Sequence, residues 1–165
     1  MSMARLSKGI LIGAGVAAAI SAGPVGATTG TLTTSTLIGR ATFDEAFHIK
    51  RTGADGWDVK VKATPALDIA VQRIVFQPEG QSGWHSHPGP VFISVVEGTM
   101  TFYESDDPEC VPIVRHAGEG YIDVGDHAHI ARNETSDPAT NVVTYLAPPG
   151  AALLIDEPKP DNCPF

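Results

Sequence analysis

The chain has 165 residues, with 11 basic and 19 acidic side chains and a formal charge of −8 at pH 7. An acidic surface without a basic stripe repels nucleic acid and anionic membranes, so neither is an expected partner. Residues 1–27 read as an export signal: Arg5 and Lys8 form a positive start, Ile10 to Ile20 is apolar and uncharged, and Val25-Gly26-Ala27 offers a small-x-small cleavage pattern. The apolar stretch is short for a bilayer span, so an uncleaved anchor is the weaker reading. Cleavage after Ala27 leaves Thr28 to Phe165, with 9 basic and 19 acidic residues, a charge of −10. That length suits one domain with a modest core, secreted to the outside or an equivalent compartment and free of the membrane.

Residues 28–40 are rich in Thr and Gly, without strong periodicity, and read as a flexible arm or an exchanged strand. Residues 41–165 form one domain of short apolar runs separated by Gly, Pro, Asp and Asn. Expected strands are Leu67 to Phe76, Val91 to Val96, Thr99 to Tyr103, Val111 to Arg115, Tyr121 to Val124, His129 to Arg132, Asn141 to Ala147 and Ala151 to Ile155. Glu97-Gly98 reads as a tight hairpin turn. Beyond the signal no stretch has helical periodicity, and 13 prolines with 17 glycines fit turns better than helices. The expected class is all-β, a sandwich or barrel. Cys110 and Cys163 suit a disulfide in an oxidising compartment, with free thiols or metal ligation as the alternatives. The loop so closed would be worth roughly 4 kcal/mol at most by chain entropy.

The most informative residues are three histidines. His85 and His87 lie one residue apart, between a glycine turn and an apolar run. Residues i and i+2 of a strand share a face, so the two imidazoles can stand side by side. His129 follows, four residues before Asn133. A third imidazole from a neighbouring strand would complete a three-nitrogen metal site with open positions, the mark of a catalytic or ligand-binding centre. The alternative is three unrelated polar histidines.

These residues resemble the cupin superfamily, small jelly-roll β-barrels with two sequence motifs. Gly80-Gln81-Ser82-Gly83-Trp84-His85-Ser86-His87-Pro88 opens the first motif and Gly98 closes it. Gly118, His129 and Asn133 fit the frame of the second. The likeness covers roughly residues 65 to 155 and is similar to that of small exported bacterial single-domain cupins. It implies a cupin-type jelly-roll barrel, a metal site at His85, His87 and His129, and a homodimer paired through exchanged edge strands. Two positions depart from the pattern. The first motif's glutamate falls at 91 or 92, here Val91 and Phe92, and Val124-Gly125-Asp126 stands where Pro-x-Gly is usual. Glu97 lies ten residues beyond His87, at the far end of the hairpin, and is no substitute ligand. Without a carboxylate, three neutral imidazoles leave a divalent cation its full charge, making a stronger Lewis acid. Imidazole suits Zn, Cu, Ni and Fe, and loading after export favours Zn, Cu, Ni or Mn over Fe.

Gln72 either points its amide into the cavity or faces outward. His127 shares strand parity with His129 and is a fourth ligand, a hydrogen-bond donor behind the ligands, or an exposed loop histidine. Trp84 either stacks over a ligand or packs at the rim. His48 and His116 have no motif around them. Asp106, Asp107 and Glu109 form a solvated acidic loop. Asn133-Glu134-Thr135 matches a glycosylation sequon, of little weight in a chain of bacterial appearance. Two functions compete. One is a metal-dependent oxygenase, lyase or isomerase acting on a small oxygen-bearing molecule. The other is a non-catalytic module in which the metal and cavity hold a small ligand or stabilise the barrel. A metal-free barrel is a third reading. Fold alone does not decide among them.

Overall fold

The computed structural model describes residues 28–64 and 66–165. The export signal read at 1–27 lies outside the described residues. Twelve strands follow in order: β1 (Thr31–Phe43), β2 (Phe47–Thr52), β3 (Asp58–Ala63), β4 (Leu67–Gln81), β5 (His85–Ser86), β6 (Val91–Glu97), β7 (Thr99–Glu104), β8 (Ile113–His116), β9 (Gly120–Asp123), β10 (His129–Arg132), β11 (Ala139–Ala147) and β12 (Ile155–Asp156). No α-helix occurs among the described residues; one 3-10 turn, Ala54–Gly56, joins β2 to β3.

Pairing arranges the strands in two faces. One runs β1-β4-β11-β6-β9 and the other β12-β5-β10-β7-β8. They join at one corner, where Arg132 of β10 pairs with Gln81 of β4. This is an all-β jelly-roll barrel. Strand β6 shows how the pattern fills it: Val91, Ile93 and Val95 are buried while Phe92, Ser94 and Val96 face outward. Each buried aliphatic side chain stabilises the fold by about 1.5–3 kcal/mol relative to exposure. Phe76, Met100, Phe102, Tyr121, Val143 and Tyr145 complete the core between the faces. The β6–β7 hairpin turns at Gly98, whose φ of +73° and close approach to the Pro138 carbonyl leave no room for a Cβ.

A second buried cluster lies under the C-terminal tail. Trp84 is fully buried there with Tyr103, Ile130 and Cys163, and its indole N–H donates to the Phe165 carbonyl at 3.1 Å. Trp84 therefore packs and does not stack over a ligand. The Cys110–Cys163 disulfide pins this tail, and Phe165 sits edge-on to Tyr103 beneath the Arg132 guanidinium.

Three expectations change. The stretch at 28–40, read as a flexible arm or an exchanged strand, is strand from Thr31 on: β1 runs through the boundary drawn at residue 40 and pairs with β4 of the same chain from Thr31 to Phe43. It lacks a buried alternation because it is an edge strand exposed on most of its length, held by backbone bonds to one neighbour. The β2–β3 hairpin, not foreseen, forms its own two-stranded sheet. The strand expected over 151–155 shortens to Ile155–Asp156.

Candidate metal centre

His85 lies on β5 and pairs directly with His129 at the start of β10. His87 follows β5 by one residue. The three rings sit 4.4–5.2 Å apart, centre to centre, and are 6%, 5% and 1% exposed in the order 85, 87, 129. Their Nε2 atoms converge: His85 to His129 is 2.9 Å and His87 to His129 is 3.2 Å.

The outer nitrogens fix the tautomers. His85 Nδ1 donates to the Gly83 carbonyl at 2.8 Å, and His87 Nδ1 donates to the Leu153 carbonyl at 2.6 Å. A carbonyl only accepts, so both Nδ1 atoms carry the proton. His129 Nδ1 lies 3.3 Å from the Tyr121 hydroxyl, which itself donates to Glu104. The hydroxyl therefore accepts from His129. All three Nε2 lone pairs face one another, and none has a proton to share. Three buried lone pairs at this spacing need a cation between them. Ligands bonded at about 2.0–2.1 Å stand roughly 2.8–3.4 Å apart around octahedral or tetrahedral metal, which these separations suit. The donor set fits a divalent transition ion.

Burial keeps the trio neutral. His85 is pushed down to about 4, chiefly by loss of water and secondarily by the neighbouring His87. His129 falls well below the usual histidine range for the same reason, reinforced by His85 and His87. His87 is also lowered by burial, against the opposing pull of the Leu153 carbonyl and Asp123. Neutral imidazole is the metal-binding form.

A cavity of about 490 Å³ opens beside His85, lined by Thr33 and Ser35 of β1, Gln72 and Ile74 of β4, and Tyr145 of β11. Gln72 thus faces inward, its amide oxygen accepting from the Tyr145 hydroxyl at 2.9 Å. The Tyr145 ring stands 5.5 Å from that of His87, and burial raises its hydroxyl well above the usual range, so it stays protonated.

The structure does not bring His127 to the trio. Its Nε2 contacts Glu104 and its Nδ1 lies 2.6 Å from Asp126. Burial would lower its pKa, but the Glu104 and Asp126 carboxylates outweigh this and raise it. His127 therefore stands two contacts behind His129, through Glu104 and Tyr121. His48 is exposed, and exposed His116 meets Thr99. Asp107 caps the backbone of Glu109 and Val111 in the acidic loop. Asn133 is 1% exposed, and its amide donates to the carbonyls of Phe76, Gln77 and Asp137. It locks the barrel and offers no surface for a sugar.

Sequence reasoning missed Tyr121, Glu104, Tyr145 and Asp123. Asp123, at the end of β9, is 1% exposed, with Oδ2 3.6 Å from His87 Nε2 and 3.7 Å from His129 Nε2. The strand parity that places Tyr121 and Asp123 on one face was available, but apolar Ile122 and Val124 obscured which face is inside.

A nearly closed two-face β-barrel around three converging imidazoles defines a metal-capable small-barrel protein. Residues 72–145 match the sequence family described as Cupin domain, in agreement with the cupin resemblance of the histidine motifs. No curated protein matches it. Among solved structures, a conserved protein with a double-stranded β-helix domain from Klebsiella pneumoniae is 21% identical. That similarity covers 54% of this chain and 75% of that one, with a TM-score of 0.46. The polyketide cyclase RemF from Streptomyces resistomycificus is 15% identical over 57% of this chain and 63% of its own, with a TM-score of 0.47. A cupin domain from Bordetella pertussis is 17% identical over 62% and 94%, with a TM-score of 0.42.

Proposed function

We propose that this chain is an exported metal-dependent enzyme, of oxygenase, lyase or isomerase type, acting on a small oxygen-bearing molecule at His85, His87 and His129. The observation that carries this reading is the convergence of three unprotonated Nε2 atoms, each fixed by a hydrogen bond on the opposite side of its ring. His85, His87 and His129 would hold a transition ion, which would supply Lewis acidity toward an oxygen-bearing substrate. The cavity beside His85 provides partly apolar walls in Ile74, Phe76 and Leu153. Gln72 and Tyr145, already paired, orient a polar group of the substrate by exchanging their mutual bond for bonds to it. The Cys110–Cys163 disulfide and the character of residues 1–27 support export.

Elemental analysis of protein purified without tag or chelator, beside a His85→Ala/His87→Ala control, tests the metal. Near one equivalent in the wild type, lost in the control, supports the reading; no metal and no uptake on titration overturns it. Screening the loaded protein against small hydroxy, keto and phenolic acids then tests catalysis.

One observation favours the non-catalytic alternative. The titratable group on the cavity wall besides His85 is Tyr145, which stays protonated, so the cavity offers no ready general base. A binding module would show ligand-dependent stabilisation and no turnover.

A further inference from the structure

We infer that Asp123 of β9 supplies the carboxylate that the first motif lacks, its Oδ2 serving as a fourth ligand to the cation held by His85, His87 and His129. The inference rests on the metal reading above and deepens it. Three observations carry it.

The first is an orphaned charge. Asp123 Oδ1 accepts from the Gly125 backbone N–H at 2.7 Å, but Oδ2 is buried with no hydrogen-bond partner among the described residues. A buried carboxylate oxygen without a partner is costly unless a cation or proton meets it. The second is direction. Oδ2 faces the Nε2 atoms of His87 and His129 at 3.6 and 3.7 Å. Both nitrogens are acceptors, because their protons sit on Nδ1. A carboxylate aimed at two acceptors is repelled unless something positive lies between them. These separations are only a few tenths of an ångström longer than the upper end of those between ligands around one ion, roughly 2.8–3.4 Å.

The third is register. Asp123 pairs directly across from Val91 on the neighbouring strand β6. Residue 91 is one of the two positions where the motif's glutamate falls. Directly opposed residues carry Cβ atoms about 4.5–5.5 Å apart on the same face, and Val91 and Asp123 are both buried. The carboxylate has moved one strand sideways. Gly125 holds it there: at φ +86°, with a Cβ position 2.6 Å from the Gly89 carbonyl oxygen, only glycine makes the turn whose N–H anchors Oδ1. This turn stands where Pro-x-Gly is usual. The inference also revises the charge at the centre. With Asp123 bound, a divalent ion keeps one net positive charge instead of two, a milder Lewis acid than three imidazoles alone would leave.

The experiment compares metal-freed wild type, Asp123→Asn and His85→Ala by Zn²⁺ titration against a chromophoric chelator and by the visible spectrum of the Co²⁺ form. Asparagine keeps the shape and the Gly125 bond. The expected result is roughly 10- to 100-fold weaker Zn²⁺ binding in Asp123→Asn with a shifted Co²⁺ spectrum, and a greater loss in His85→Ala. Unchanged affinity and spectrum in Asp123→Asn, with loss in His85→Ala, overturns the inference and leaves the three-histidine reading standing. Weakened binding with an unchanged Co²⁺ spectrum also overturns it, making Asp123 a distant charge. No binding by wild type overturns both. If Asp123→Asn fails to fold, infrared difference spectra of wild type labelled with ¹³C-aspartate, with and without Zn²⁺, decide. An isotope-sensitive carboxylate band that moves on loading supports ligation, and its absence overturns it.

Discussion

Asp68 and Asp123 are the same residue at nearly the same burial, 2% and 1% exposed, and the barrel treats them in opposite ways. Asp68, on β4, is saturated. Its Oδ1 accepts from the Thr42 hydroxyl at 2.6 Å, and its Oδ2 accepts from Arg40 Nε at 2.6 Å and the Gly150 N–H at 2.9 Å. The Thr42 hydroxyl, the Gly150 amide and the Arg40 guanidinium together hold its carboxyl down to about 2. Asp123 has one bond, on one oxygen. A carboxylate kept for stability collects donors, as Asp68 ties β1 to the 148–151 turn. A carboxylate left half-bare beside three aimed lone pairs is explained by what binds there, and removing each should have opposite consequences.

The largest effect separates the centre from the scaffold. His85→Ala/His87→Ala should drop metal content from about one equivalent to near none. It should also abolish the stabilisation by metal, about 4 kcal/mol when free ion exceeds Kd a thousandfold. Asp68→Asn should lower the melting temperature yet leave metal stoichiometry intact. Paired elemental analysis and thermal denaturation check both, and an Asp68 variant that lost its metal would break the comparison.

Half of this contrast was legible in the sequence. The histidine trio is written as local spacing, His85-x-His87 before a hairpin and His129 before Asn133, and the fold had only to set β5 beside β10. The strands with alternating burial, β6 above all, were likewise readable. Asp123 was not, because Tyr121-Ile122-Asp123-Val124 reads as an apolar strand with its aspartate outward. The barrel does the reverse and leaves Ile122 and Val124 59% and 57% exposed. Which of two period-2 faces is inside depends on the partner strand, and that pairing is non-local. Strand β1 was hidden for a related reason: it is an edge with little burial, so hydrophobic patterning is silent about it. The Gln72 amide could have faced either way until β11 placed Tyr145 beside it.

The two regions should also titrate in separate windows in the metal-free protein. His85 binds its proton at about 4 when folded and at 6.5 when unfolded. The unfolded chain therefore takes up protons first, and stability falls as pH drops from 6.5 to about 4, levelling below. For His85 alone the loss is about 3 kcal/mol. Asp68, lowered from 3.8 to about 2, contributes stability that is intact above 3.8 and lost as pH falls toward 2. Melting temperature against pH, in chelator, should show two descents. His85→Ala should shrink the upper one, to which His87 and His129 also contribute, and Asp68→Asn the lower. A single descent untouched by His85→Ala would place the acid sensitivity elsewhere.

Without metal, Asp123→Asn should raise stability by about 1–3 kcal/mol, because it replaces an unpaired buried charge with an amide able to donate to His87 and His129 Nε2. Asp68→Asn should lower it, since an amide cannot accept at both ends from Thr42, Arg40 and Gly150. Urea denaturation in chelator measures both signs. Equal signs would mean that Asp123 is held by the scaffold just as Asp68 is.

The smallest effect concerns Tyr121, two residues before Asp123 on the same inward face of β9. Its ring stacks on Phe102, with centroids 4.1 Å apart, and its hydroxyl joins His129 Nδ1 to Glu104. Tyr121→Phe preserves the stack and removes the hydroxyl that accepts the His129 proton, keeping it away from the metal side, and that donates to Glu104. The ring is then freer to rotate or change tautomer, and Zn²⁺ affinity should fall about 10-fold with little change in folding. The Glu104 bond to the Tyr121 hydroxyl is lost as well, but His127 remains paired with Glu104, so the change at His129 is confined to its Nδ1 partner. Unchanged affinity would show that packing alone aims His129. In that case the half-bare Asp123, and not the network behind the ring, would distinguish this centre from the saturated site at Asp68.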